Sequence, residues 1–246
     1  MVRAQGNLVV SLIGAGVSVL MLGALGKPGK PGKPGKPSGS KRARAENLRN
    51  EMQSLGFEAP VIEFLLAVFD TESAFNQYAF FGVAVPPGAP PEVQPSKNST
   101  ASKINETAKA RSAYMRNASK YCENPAVWYS SGSVGLAGML PANAMAAWWG
   151  TSMQCKSPYY LWSIRGSLIA AYAYLARLQG WAGWDGSPVV ARMGWRSPSL
   201  MAKGSVADRM RAEKRIGQAV ADLDLDLRPI PKIVNNPKKF EAWAKQ

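Results

Sequence analysis

Glu72 stands in the stretch DTESAFNQYAF, residues 70–80, where the apolar run VIEFLLAVF ends. Phe69, Phe75, Tyr78, Phe80 and Phe81 crowd it in sequence. A carboxyl in an apolar pocket keeps its proton near neutral pH, because desolvation disfavours the charged form. A general acid that protonates the leaving oxygen of a sugar needs that property. The plain alternative is a helix-end residue facing water. Asp70 is not expected as a partner, since two residues earlier on a helix it points to another side.

The rest of the composition narrows the chemistry. The chain of 246 residues has no histidine. That excludes Ser-His-Asp and Cys-His catalysis, and zinc held by imidazole. Cys122 and Cys155 are too few for a zinc site and too far apart for CxxC. They are either a disulfide or two unrelated thiols. No GxxxxGK[ST] occurs, so nucleotide hydrolysis has no support. Carboxylate or hydroxyl chemistry remains, and no cofactor or metal is expected.

Two further stretches carry spacing of interest. GSVGLAGMLPANAMAAW, residues 132–148, places glycines at 132, 135 and 138 ahead of a proline and a helix. Such glycines let backbone approach a ligand closely, for instance a sugar ring. SLIAAYAYLARLQ, residues 167–179, is a small-residue helix bearing Tyr172 and Tyr174. Most of it reads as core.

Taken in order, ESAFN at 72–76, GSVGLAGMLPANA at 132–144 and SLIAAYAYL at 167–175 resemble the lytic transglycosylase domain of the lysozyme superfamily. That family carries Glu-Ser-x-Phe-Asn/Asp, then Gly-x-x-Gly-Leu-Met-Gln-x-Met-Pro-x-Thr-Ala, then a helix ending Asn-Ile-x-x-Gly-x-x-Tyr-Leu. Gly132, Gly135, Leu136, Pro141 and Ala144 fall in register, and the likeness covers about residues 58–198. It implies a lysozyme-like α domain that cleaves the glycan strands of peptidoglycan. Glu72 would be the single acid and base, and Ser73, Phe75, Asn76, Gly135, Leu136, Met139, Tyr172 and Tyr174 would bind substrate. The departures are specific. Ala137-Gly138 replaces Met-Gln, and Ser167 and Ala171 replace Asn and Gly. The family's Ala-Tyr-Asn-Ala-Gly becomes VARMGW at 190–195, lacking the Tyr expected to steady the carboxyl. Tyr172 or Tyr174 would have to substitute for it. Both transglycosylase and hydrolase products are compatible with a Glu at this position.

The elements that must position these residues are mainly α. Helices are expected from about Ser40 to Gly56, from the proline at 60 onward, and over Ala142–Trp149, Leu161–Gln179 and Val206–Leu223, since period-2 alternation is scarce. Residues 82–101 are Pro-rich and irregular. Residues 8–25 carry no charge and read as a transmembrane anchor within 1–25, with a cleaved signal peptide as the alternative. Four Gly-Lys-Pro triplets follow at 26–37, in a collagen-like basic spacer assigned to 26–43. The catalytic domain is assigned to 44–200, and 201–246 to a helical extension. The net charge is +14, of which residues 1–45 supply eight Lys/Arg and no acid. This balance suits an anionic polymer; nucleic acid is not the expected partner, because no aromatic residues interleave with the basic run. The architecture suggests a protein of the bacterial inner membrane or of a bacteriophage virion's internal membrane, among other virion components. A catalytically inactive glycan-binding or structural virion membrane protein is the rival expectation.

Overall fold

The computed structural model describes residues 39–81, 90–93, 133–140, 143 and 160–246. These are mainly α: α1 Gly39–Ser54, α2 Ala59–Ser73, α3 Ile164–Leu178, α4 Pro188–Arg196, α5 Ser199–Lys203, α6 Val206–Leu223 and α7 Pro237–Lys245. Among the described residues there is no strand, only the isolated bridges Phe80–Val134 and Val134–Met139. No helix among the described residues is long and apolar enough to cross a membrane. The expected anchor at 8–25, the Gly-Lys-Pro triplets, the two cysteines and nearly all of the expected helix 142–149 lie outside the described residues.

The centre of the fold is α2. Pro60 opens it, where a missing N–H costs nothing. From Val61 to Phe69 every residue but Glu63 is buried, so the helix is surrounded rather than laid on a surface. Arg49 of α1 clamps Glu63 with Nε and Nη2, each at 3.1 Å. Along α1, Ala45, Leu48 and Met52 recur at helical spacing and face the core. That helix begins at Gly39, so residues 39–43 of the expected spacer are helical. The α3 helix is buried almost throughout, and Ser163 caps it by accepting from the Gly166 amide at 3.0 Å.

Residues 201–246 pack into the same core as the rest. Ser205 and Asp208 form a capping box that opens α6, which lies on α2 and α4. The segment after it is pinned to α3 by Gln179, whose Nε2 donates to the Pro231 carbonyl and whose Oε1 accepts from the Ile233 amide, both at 2.7 Å. Finally α7 lies on α3, with Phe240 fully buried and Trp243 nearly so. Trp243 contacts the rings of Phe57 and Tyr172 at 5.3 and 5.4 Å between centroids.

Candidate active site around Glu72

The site begins where α2 stops. Ala74 (φ 51°) and Phe75 (φ 62°) are both left-handed, and the Phe75 amide reaches back to the Phe69 carbonyl at 3.3 Å. A glycine would close this turn without strain; Ala and Phe each cost on the order of 1–2 kcal/mol there. The conformation sends Phe75 inward while leaving Asn76 exposed. Strain held next to the one candidate acid is the kind found at functional sites.

Facing this turn is the loop 133–140. It is a tight hairpin, with Val134 and Met139 exchanging backbone bonds at 2.9 and 3.0 Å. It is tied to the Glu72 turn by the Gly135 amide donating to the Ala79 carbonyl and the Phe81 amide donating to the Ser133 carbonyl, each at 2.9 Å. Both Gly135 (φ 73°) and Gly138 (φ 54°) need a residue without Cβ. A Cβ on Gly138 would stand 3.0 Å from Oε2 of Glu72. The loop backbone therefore forms one wall of the carboxyl's seat. From the other side Trp195 of α4 donates through Nε1 to the Ala137 carbonyl at 3.2 Å and holds the loop in place.

The carboxyl is not in an apolar pocket. Arg192 of α4 binds Oε1 through Nη2, and Arg215 of α6 lies with Nη1 3.8 Å from the same oxygen. Burial pushes the Arg192 guanidinium below its usual range; Glu72 opposes that, while Arg215 and Arg196 add to it. The Arg192 Nε is buried and has no hydrogen-bond partner among the described residues. Arg192 lies within VARMGW, the segment that lacks the expected tyrosine. A guanidinium, in place of a phenol, steadies Glu72.

Neither tyrosine substitutes as expected. Tyr172 donates to Glu58 at 3.0 Å, and Glu58 immediately precedes α2 at its opposite end. A rise of about 1.5 Å per residue puts it roughly 20 Å from Glu72. Tyr174 packs edge-on against Trp195, at 5.2 Å between centroids, and supports the loop from behind. Burial pushes its phenol up to about 12.

The expected substrate-binding residues thus divide. Ser73 and Asn76 line an open cleft of about 620 Å³ with Glu72, Tyr78, Phe81 and Glu92. The Ser73 hydroxyl donates back to the Phe69 carbonyl at 3.0 Å, and the Asn76 Oδ1 accepts from the Tyr78 amide at 3.0 Å. Phe75, Leu136, Met139, Tyr172 and Tyr174 are buried and act as framework. Gly135 is framework too, since a Cβ there would lie 2.0 Å from the Leu161 carbonyl oxygen. Asp70 lines the cleft, but its carboxylate is held by Lys41 at 2.8 Å. The sequence reading missed Arg192, Arg215, Trp195 and Glu92. Its one available signal was a single arginine within the otherwise apolar VARMGW, since a buried arginine needs a partner. No group of three or more His, Cys, Asp or Glu side chains suited to a metal occurs among the described residues.

No family model, curated protein or solved structure matches this chain, so the resemblance to lytic transglycosylases stands on its motif residues.

Proposed function

We propose that this chain cleaves the glycan strands of peptidoglycan as a lytic transglycosylase, with Glu72 as its single acid and base. One observation carries the reading: Glu72 ends a buried helix, lines an open cleft and rests against the backbone of the glycine loop 133–139. Stretches far apart in sequence, 72–76, 133–139 and 190–195, meet at one carboxyl. In the proposed reaction Oε1 stays with Arg192, and Oε2 carries the proton. Glu72 protonates the oxygen linking N-acetylmuramic acid to N-acetylglucosamine, and that bond breaks. The resulting carboxylate takes the proton of the muramyl 6-hydroxyl, whose oxygen closes a 1,6-anhydro ring. The substrate's acetamido group supports the positive charge at the ring, so a second carboxylate is not required.

The uncharged stretch 8–25 and the basic spacer support a further part of the proposal, a membrane-anchored enzyme in a virion that opens the wall locally during phage entry. The Arg192–Glu72 pair favours a second reading, a catalytically inactive glycan-binding or structural protein, because the carboxylate is tied into a buried ion pair that joins two helices.

Zymography of the full chain on purified peptidoglycan, beside Glu72→Gln, separates the two. Gln keeps an oxygen for Arg192 while removing the acid. Clearing that the substitution abolishes, with products lighter by one water than hydrolytic ones, supports the transglycosylase. Hydrolytic products retain Glu72 as the acid and change the enzyme's class. A folded wild-type chain that clears nothing sinks the catalytic reading.

A further inference from the structure

Arginines of α4 and α6 gather beside Glu72, whose cleft Asp70 and Glu92 also line. Arg192, Arg196, Arg215 and Arg211 bring four positive charges to this end of α4 and α6. Among the described residues Arg192 and Arg215 pair with Glu72, and Asp208 is shared between Arg196 at 3.7 Å and Arg211 at 3.4 Å. Arg192 is spent on Glu72 and is nearly sealed from water, with 3% of its side chain exposed. Arg215 differs. Its one acidic partner among the described residues is Glu72, at 3.8 Å, beyond hydrogen-bonding distance, and its side chain is 47% exposed. Its half-exposed side chain therefore stands beside the candidate acid, with Glu72 already committed to another guanidinium. A planar guanidinium with free donors matches a carboxylate with two bonds at once.

We infer that Arg215, beside Glu72 and half open to solvent, is a seat for a carboxylate carried by the glycan. This rests on the glycan-cleaving reading and extends it: the substrate is recognised by its negative charge as well as by its sugar ring. The carboxylate is either the lactyl group of a muramyl residue without a stem peptide or, where the lactyl group is amide-linked to a stem peptide, a carboxylate of that peptide, and both supply the same chemistry. The ligand's carboxylate becomes the close partner that Arg215 lacks among the described residues. The placement also gives α6 a task, since that helix lies on α2 and α4 and delivers Arg215 to the end of α2.

The test is titration calorimetry of the full chain and of Arg215→Gln with three tetrasaccharides. One is neutral, built of N-acetylglucosamine alone; one alternates it with N-acetylmuramic acid; one carries stem peptides as well. A charge-assisted pair predicts that a carboxylate-bearing sugar binds the wild type about tenfold more tightly than the neutral one. Arg215→Gln is expected to erase that margin, so that the variant binds charged and neutral sugars alike. A margin seen with the muramyl sugar assigns the lactyl group, and one seen only with stem peptides assigns the peptide. Equal affinity for all three, or a margin that survives Arg215→Gln, overturns the subsite while glycan binding stands. Failure of the folded wild type to bind any of them overturns both readings.

Discussion

Arg192 and Glu72 form an ion pair in which the guanidinium is 3% and the carboxylate 8% exposed. The residues come from α4 and α2, so the pair stitches the end of the central helix to the element that also holds the glycine loop through Trp195. Pairs this deep are costly to break from one side, because the surviving charge is stranded. Glu72→Ala should lose about 3–5 kcal/mol of stability, and Glu72→Leu combined with Arg192→Met should recover most of it. Denaturant melts of the single and double variants measure the coupling. Additive losses would show that the two side chains do not depend on each other.

The loop wall makes a second prediction. Gly138→Ala should fold, at a cost of about 1–2 kcal/mol for its positive φ. The added methyl would stand 3.0 Å from Oε2 and 3.2 Å from Cβ of Glu72, so the carboxyl must shift, and glycan cleavage should fall by roughly a hundredfold. Gly135→Ala should behave differently, because its methyl meets backbone, the Leu161 carbonyl, which cannot give way. Circular dichroism beside a cleavage assay distinguishes them: Gly138→Ala folded and slow, Gly135→Ala unfolded. Normal cleavage by Gly138→Ala would remove the loop from the site.

Glu92 tests how many carboxylates the chemistry uses. It is exposed and lines the same cleft as Glu72. Hydrolysis by inversion needs a second carboxylate to activate water, whereas the single-acid route does not. Glu92→Gln should therefore keep its rate within about twofold of the parent, since no step assigned to it is lost. A collapse in rate, with hydrolytic products from the parent, would assign Glu92 as a base.

What the sequence revealed and what it hid divide along physical lines. Periodicity and small residues exposed α3 and α6, and glycine spacing marked 132, 135 and 138, of which 135 and 138 lie close to Leu161 and Glu72 of the chain itself. The Glu72 environment stayed hidden because Arg192 and Arg215 reach it from helices far along the chain. A helical pattern says which face is buried and nothing about what lies opposite. The aromatic crowding around residue 72 suggested an apolar pocket, yet Phe69, Phe75 and Phe80 point into the core and leave the carboxyl to the arginines. Tyr172 misled for the same reason: its place in the motif gave no sign that it faces Glu58, at the far end of α2. In α7, PKKFEAWAK belongs to the expected helical extension, and its docking depends on Phe57 and Tyr172 supplied from elsewhere.

That docking predicts a stability role for the last helix. Phe240 is fully buried, and Trp243 packs against both Phe57 and Tyr172, whose rings also touch each other, with Lys239 over its own ring. Truncating a buried aromatic costs about 3–5 kcal/mol, so Phe240→Ala should lower the melting midpoint of the whole domain in one cooperative step. A separate early transition in calorimetry would show instead that α7 melts alone.

Tyr174 gives a pH prediction with a definite sign. Burial raises its phenol to about 12 in the folded chain, against about 10 when unfolded. Below pH 10 both states hold the proton, and the full stability is present. Between about pH 10 and 12 the unfolded chain loses its proton while the folded chain keeps it, so stability falls by up to 2–3 kcal/mol, on the order of 1.4 per pH unit. Tyr172 adds to the same trend, its phenol raised by burial and by its bond to Glu58. Tyr174→Phe should remove its share of the alkaline loss, so the stability difference between parent and variant should shrink from pH 9 to 12. Denaturant midpoints across that range, with tyrosinate absorbance recorded alongside, provide the check. A parent and variant whose curves run parallel would mean that Tyr174 reaches water, and that the wall behind Trp195 is open.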